Sequence, residues 1–117
     1  LNERHLGHWE GSPWGTIEDF AALPPGGGES QAQFQARVLE ALEEILLHSA
    51  PCAPLRPLLV AHGGTFYVLV EALLQRRGVV VENCQLVLFE QGLDGAWSIQ
   101  KIEKAEGQKV KGASPVD

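Results

Sequence analysis

Two short stretches hold residues whose types and spacing could do chemistry. In "LLVAHGGTFYVLVEALL", Leu58 to Leu74, an apolar run ends at His62, two glycines follow, and a helical pattern begins only then. A histidine at the carboxyl end of a strand stands where open α/β sheets bind ligands. Gly63 and Gly64 let backbone amides come close to that ligand, and a helix start adds free N–H groups and a positive dipole end. The three features together describe a pocket for a phosphate-sized anion; the bland alternative is a core histidine whose ring bonds a neighbouring carbonyl. The second stretch, "LNERHLGHWEG", crowds Glu3, Arg4, His5, His8, Trp9 and Glu10 into the start of the chain. A carboxylic acid beside a guanidinium suits acid/base work on a bound anion, with Arg4 making paired oxygen contacts and Glu3 donating a proton. A solvated charge cluster ahead of a loop is the alternative there.

These residues need a framework to hold them. "GSPWGTIEDFAALPPGGGES", Gly11 to Ser30, is rich in Gly and Pro and reads as an irregular loop with a short helical turn near Thr16 to Phe20. Ser30 followed by Gln33 forms a capping-box start, and Phe34, Val38, Ala41, Leu42 and Ile45 recur at helical spacing, which predicts an amphipathic helix ending near Ser49. The prolines of "APCAPLRP" stop it. Leu58 to Ala61 is continuously apolar, as expected of a strand covered on both faces in a parallel sheet. A second helix is predicted from about Thr65 to Arg76, with Gly78 as its cap. Two strand-like segments, Gln85 to Glu90 and Ala96 to Ile102, are joined by the hairpin connection "QGLDG", and residues 103–117 read as a flexible tail.

Composition narrows the function class. A chain of 117 residues with 44% hydrophobic content is the size of one small domain. Its formal charge of -6 and pI near 5.1 exclude a general nucleic-acid binder, which needs a broad basic face, so an anionic ligand must be held locally. Cys52 and Cys84 have neither CxxC spacing nor disulfide-scaffold density, which sets a reducing, cytoplasmic location as the expectation. No apolar run approaches the roughly 20 residues of a membrane span, and no signal peptide opens the chain. Neither a nucleic acid nor a membrane is an expected partner.

Taken together, the motifs resemble the histidine phosphatase superfamily, which includes cofactor-dependent phosphoglycerate mutases and broad-range phosphatases. "LNERHLGHWEG" is similar to the family's segment carrying the acid glutamate, "PPGGGES" to its loop before a long helix, "VAHGG" to its second histidine motif, and "VENCQLVLFE" to its Asn-containing approach to a late strand. The resemblance covers roughly Leu1 to Ile102. It implies an α/β fold, a three-layer sandwich with a mostly parallel central sheet flanked by helices. It also implies phosphomonoester chemistry on a small phosphorylated substrate through a phosphohistidine, without metal or other cofactor. Glu3 would be the general acid, then the general base; His62 would stabilise the transferring group; Gly63 would line the same pocket; Arg4 would contact the phosphate or the substrate beyond it.

One departure stands against these matches. The family's nucleophile lies in an Arg-His-Gly motif on its first strand, and no such tripeptide occurs here; a further pocket arginine is missing as well. The chain begins inside a motif, so it is expected to be the C-terminal portion of a single domain whose N-terminal strand and helix lie upstream. If it is complete, an inactive relative acting as a binding or regulatory module is the alternative, and the uncovered edge of "LLVA" would favour strand exchange or a homodimer. Leu6 stands where mutases carry Tyr, and the interval from Glu3 to His62 is too short for their extra helical segment, so the phosphatase branch is expected ahead of mutase-type phosphoryl transfer. Trp9 and Trp14 are expected to shape the leaving-group pocket. A zinc site from His5, His8 and His62 is the remaining alternative, without HExxH or paired CxxC spacing to support it.

Overall fold

The computed structural model describes residues 1–13, 15–54, 56–104 and 110–115. It is α/β, with two helices and one three-stranded sheet. The chain divides into two compact units, Leu1–Val68 and Leu69–Asp117.

In the first unit, α1 runs from Gln31 to Ser49. Its start follows the sequence signal closely: the Ser30 side chain accepts from the Gln33 amide at 3.1 Å, and the Gln33 side chain accepts from the Ser30 amide at 2.9 Å. Each satisfies a donor that the first helical turn would otherwise leave unpaired. The apolar stripe buries Phe34 and Val38 completely, while Ala41, Leu42 and Ile45 further along are only half-buried. Ahead of α1, residues 7–13 and 15–29 form an irregular loop with a short 3₁₀ turn at Gly7–Trp9. Gly7 has φ +54, and a Cβ there would strike the Pro25 carbonyl oxygen, so only glycine lets the two arms of the loop meet.

The strand expected at Leu58–Ala61 is not formed. A strand is defined by ladder hydrogen bonds, and among the described residues no partner chain lies beside this segment. Its side chains are accordingly open, with Leu58 77% and Val60 85% exposed. The mostly parallel sheet built on that strand is therefore absent from the described residues.

Helix α2, Gly63–Leu74, begins two residues earlier than predicted, because both glycines join its first turn. It ends earlier too. Gln75 adopts φ 54 and its amide donates to the Glu71 carbonyl, so the left-handed residue that terminates the helix is Gln75 rather than the expected Gly78.

The second unit holds the sheet, in order β1-β2-β3 and wholly antiparallel. β1, Leu86–Gln91, pairs with β2, Trp97–Lys104, from Leu86↔Ile102 to Gln91↔Trp97. The "QGLDG" turn works as predicted: the Gly92 amide donates to the Ala96 carbonyl, the Asp94 carboxylate accepts from the Ala96 amide, and Gly95 supplies a φ of +84. β3, Val110–Pro115, pairs with β2, so the flexible tail expected over 103–117 is corrected in part. Backbone pairing orders residues 110–115 despite their low apolar content; residues 105–109 and 116–117 lie outside the described residues. Among the described residues of this unit, Leu69, Val70, Val79 and Ile99 are the buried apolar ones.

Candidate functional site

Glu3 and the start of α2 come together in the first unit, although 61 positions separate them. One carboxylate oxygen of Glu3 accepts from the Gly64 amide at 3.0 Å, and the other accepts from the amide of Arg4 at 3.0 Å. A carboxylate at this point satisfies a free amide of the first helical turn and meets the positive end of the helix dipole. Glycine is required at 64 for a steric reason: a Cβ there would collide with the Glu3 carboxylate itself. His62 lies two residues before that amide and is exposed, as is Gly63. Thr65, next along, is 1% exposed, and its hydroxyl has no hydrogen-bond partner among the described residues.

Arg4 faces elsewhere than expected. It is buried, 7% exposed, and its guanidinium is directed into its own loop. Nε donates to the Glu29 carbonyl at 2.8 Å, Nη1 to the Phe20 carbonyl at 2.6 Å and to the Gln31 side chain at 3.3 Å, and Nη2 to the Ala22 carbonyl at 2.9 Å. The cation also lies over the Phe20 ring, 4.8 Å from its centroid, and Trp9 stacks on the same ring with centroids 6.3 Å apart. Burial pulls the Arg4 pKa down and the nearby Glu29 charge opposes that pull. With donors committed to three backbone carbonyls, Arg4 clamps the loop.

Trp14 lies outside the described residues. Trp9 is half-buried against Phe20, a loop-packing position. His8 donates its amide to the Pro25 carbonyl, and among the described residues no three His, Cys, Asp or Glu side chains gather in a way that could hold a metal. The alternative zinc set of His5, His8 and His62 is thus not assembled.

One pair was missed from the sequence. Arg37, on α1, grips the Glu29 carboxylate with two parallel bonds, Nε to Oε2 at 2.8 Å and Nη2 to Oε1 at 2.9 Å. The Arg37 bond, assisted by the His5 amide at 3.1 Å and the nearby positive charges, holds the Glu29 pKa at about 2 against partial burial, which works in the opposite direction. The same bond raises the pKa of Arg37. Nothing in helical periodicity marks a pair eight positions apart across a helix cap; the available signal was an acid directly before the cap residue of a helix with an arginine on its second turn.

In this small acidic α/β protein a helix start and a carboxylate thus meet, with an exposed histidine two residues before the bonded amide. The family comparison agrees: residues 1–104 match the description "Histidine phosphatase superfamily (branch 1)", and the chain belongs to that superfamily. Membership carries phosphoryl-transfer chemistry in general. Neither the curated proteins nor the solved structures include a match to the chain. Among the described residues, no helix is long and apolar enough to cross a membrane.

Proposed function

We propose that the chain serves phosphomonoester hydrolysis through a phosphohistidine intermediate, with the nucleophilic histidine supplied by residues outside these 117. The observation that supports this most directly is the Glu3 carboxylate seated on the Gly64 amide, two residues from His62. In the first step the nucleophilic nitrogen bonds to phosphorus as the P–O(alkyl) bond breaks, and Glu3 gives its proton to the departing oxygen. In the second, Glu3 takes a proton from water as the water oxygen displaces the histidine and inorganic phosphate leaves. His62 and the amides of Gly63 and Gly64 hold the phosphoryl oxygens while charge shifts onto them. Protonation of Glu3, which its first role demands, also weakens its hold on the Gly64 amide and releases that donor to the phosphoryl group.

Within this reading the interval from Glu3 to His62 favours net hydrolysis over mutase-type transfer, and the unpaired, exposed Cys52 and Cys84 favour a reducing, cytoplasmic setting. The lack of Arg-His-Gly in the chain favours a second reading, a phosphate-binding module without turnover. The test joins the chain to a segment bearing Arg-His-Gly and assays p-nitrophenyl phosphate and an alkyl phosphate. His62→Ala should lower kcat on the order of a hundredfold or more, the scale for losing one preorganised donor. Glu3→Gln should slow the alkyl ester far more than the nitrophenyl ester, whose leaving group needs little protonation. Equal slowing of both substrates would remove Glu3 as the acid, and a joined protein that binds phosphate without turnover would favour the binding module.

A further inference from the structure

We propose that Arg37 is a positioning residue for the Glu3 proton transfer, acting with Glu29 as a brace on the backbone that carries Glu3. This rests on the reading of Glu3 as general acid. The brace reaches that backbone from both sides. Arg37 Nη2 donates to the Asn2 carbonyl at 3.2 Å and to the Glu3 carbonyl at 3.3 Å, while the Glu29 carboxylate accepts from the His5 amide at 3.1 Å. The Glu29 amide donates in turn to the His5 carbonyl at 2.7 Å. Four backbone groups within four consecutive residues are thus tied to one ion pair, and Glu3 sits among them.

The brace is itself anchored. Glu29 directly precedes the Ser30 capping box, so the helix start fixes its backbone. Arg37 lies over the ring of Phe34, 5.3 Å from its centroid, and Phe34 is 2% exposed, which limits the guanidinium to one approach. Fork-to-carboxylate geometry leaves little angular freedom. From that fixed backbone the Glu3 side chain spans to the Gly64 amide. An acid must lie within hydrogen-bond reach of the oxygen it protonates, and displacement by about 1 Å can cost about a hundredfold in rate. Arg37 touches neither carboxylate oxygen of Glu3; the two charges act on each other only through space, and Arg37→Lys, which keeps the charge and loses the fork, separates that interaction from position.

The experiment uses the chain joined to the segment bearing Arg-His-Gly, with kcat and KM measured on p-nitrophenyl phosphate and an alkyl phosphate. Arg37→Gln should lower kcat on the alkyl ester about tenfold or more, change kcat on the nitrophenyl ester by less than about threefold, and leave both KM values within about twofold. In the Glu3→Gln background, Arg37→Gln should have no further effect on the alkyl ester, because the group it positions is already disabled. Arg37→Lys keeps the charge without the fork and should fall between parent and Arg37→Gln; it carries the same test if Arg37→Gln does not fold. Exchange of the Gly64 amide, followed by NMR, should quicken about tenfold or more in either Arg37 variant. Equal loss on both esters, full multiplication of the two effects in the double variant, or unchanged Gly64 exchange would each overturn the proposal. If Glu3→Gln alone fails to discriminate the esters, the acid assignment falls first and the positioning role falls with it.

Discussion

Replacing Glu29 by Gln isolates the ion pair that ties α1 to the N-terminal segment. The Glu29 carboxylate receives two bonds from Arg37 and one from the His5 amide, and its pKa is lowered from 4.5 to about 2, chiefly by the Arg37 bond. Each unit of such a shift is worth about 1.4 kcal/mol, so the full depression corresponds to about 3 kcal/mol. The Arg37 side chain is 35% exposed and that of Glu29 17%, and solvent screening brings the expected contribution to about 1–2 kcal/mol. Because the folded pKa lies below the unfolded one, this stability is fully present above about pH 4.5 and is lost as pH falls through about 2. Glu29→Gln keeps the shape of the side chain and removes the charge. It should therefore be less stable than the parent by about 1–2 kcal/mol at pH 7, with the gap closing toward zero near pH 2. Urea unfolding at pH 7, 4.5, 3 and 2 reads this directly. A gap of constant size across that range would show that the Glu29 charge contributes nothing to folding, and the reasoning from the ion pair would be refuted.

Three other outcomes follow from the geometry around Glu3. Arg4→Met should destabilise by about 1–2 kcal/mol, since it removes the donor to the carbonyls of Phe20 and Ala22, and limited proteolysis should cut the 9–25 segment faster; unchanged cleavage would count against the clamp. Gly64→Ala should destabilise by about 1–2 kcal/mol despite the better helix propensity of Ala, because the new methyl meets the Glu3 carboxylate. In a Glu3→Ala background the sign should reverse, which thermal melts of the four variants in the cycle would measure. Thr65→Val should leave stability unchanged or raise it by up to about 1 kcal/mol, because it replaces a buried hydroxyl that has no partner among the described residues; a loss above about 1 kcal/mol would reveal a bond to that hydroxyl.

What was legible in the sequence was local. The start of α1 was readable because Ser30 and Gln33 complete each other within one turn, and the hairpin turn because Gly92, Asp94 and Gly95 fix it among themselves. The meeting of Glu3 with the helix after His62 followed from motif resemblance, since no local rule joins residues 61 positions apart. The strand at Leu58–Ala61 failed as an expectation because apolar content prepares a segment for pairing without supplying the neighbour that pairing needs. The acceptors of Arg4 were illegible for a related reason. They are the carbonyls of Phe20, Ala22 and Glu29, and a backbone carbonyl has the same chemistry whatever the residue, so it leaves no mark in the sequence.

The Arg4 clamp also divides the loop into a part that matters to Glu3 and a part that does not. Hydrogen bonds close the loop between His8 and Pro25, between His5 and Glu29, and from Arg4 to residues 20, 22 and 29, and these bonds fix its base. At the tip, Gly11 and Gly15 are exposed, with no atom within 4 Å of where a Cβ would stand. Added length there is paid only in closure entropy, about 0.6 kcal/mol for each doubling of a flexible loop. Gly11 is thus a place where this chain can lengthen, and take on new surface, while the carboxylate at the loop's base stays where the clamp and the brace hold it.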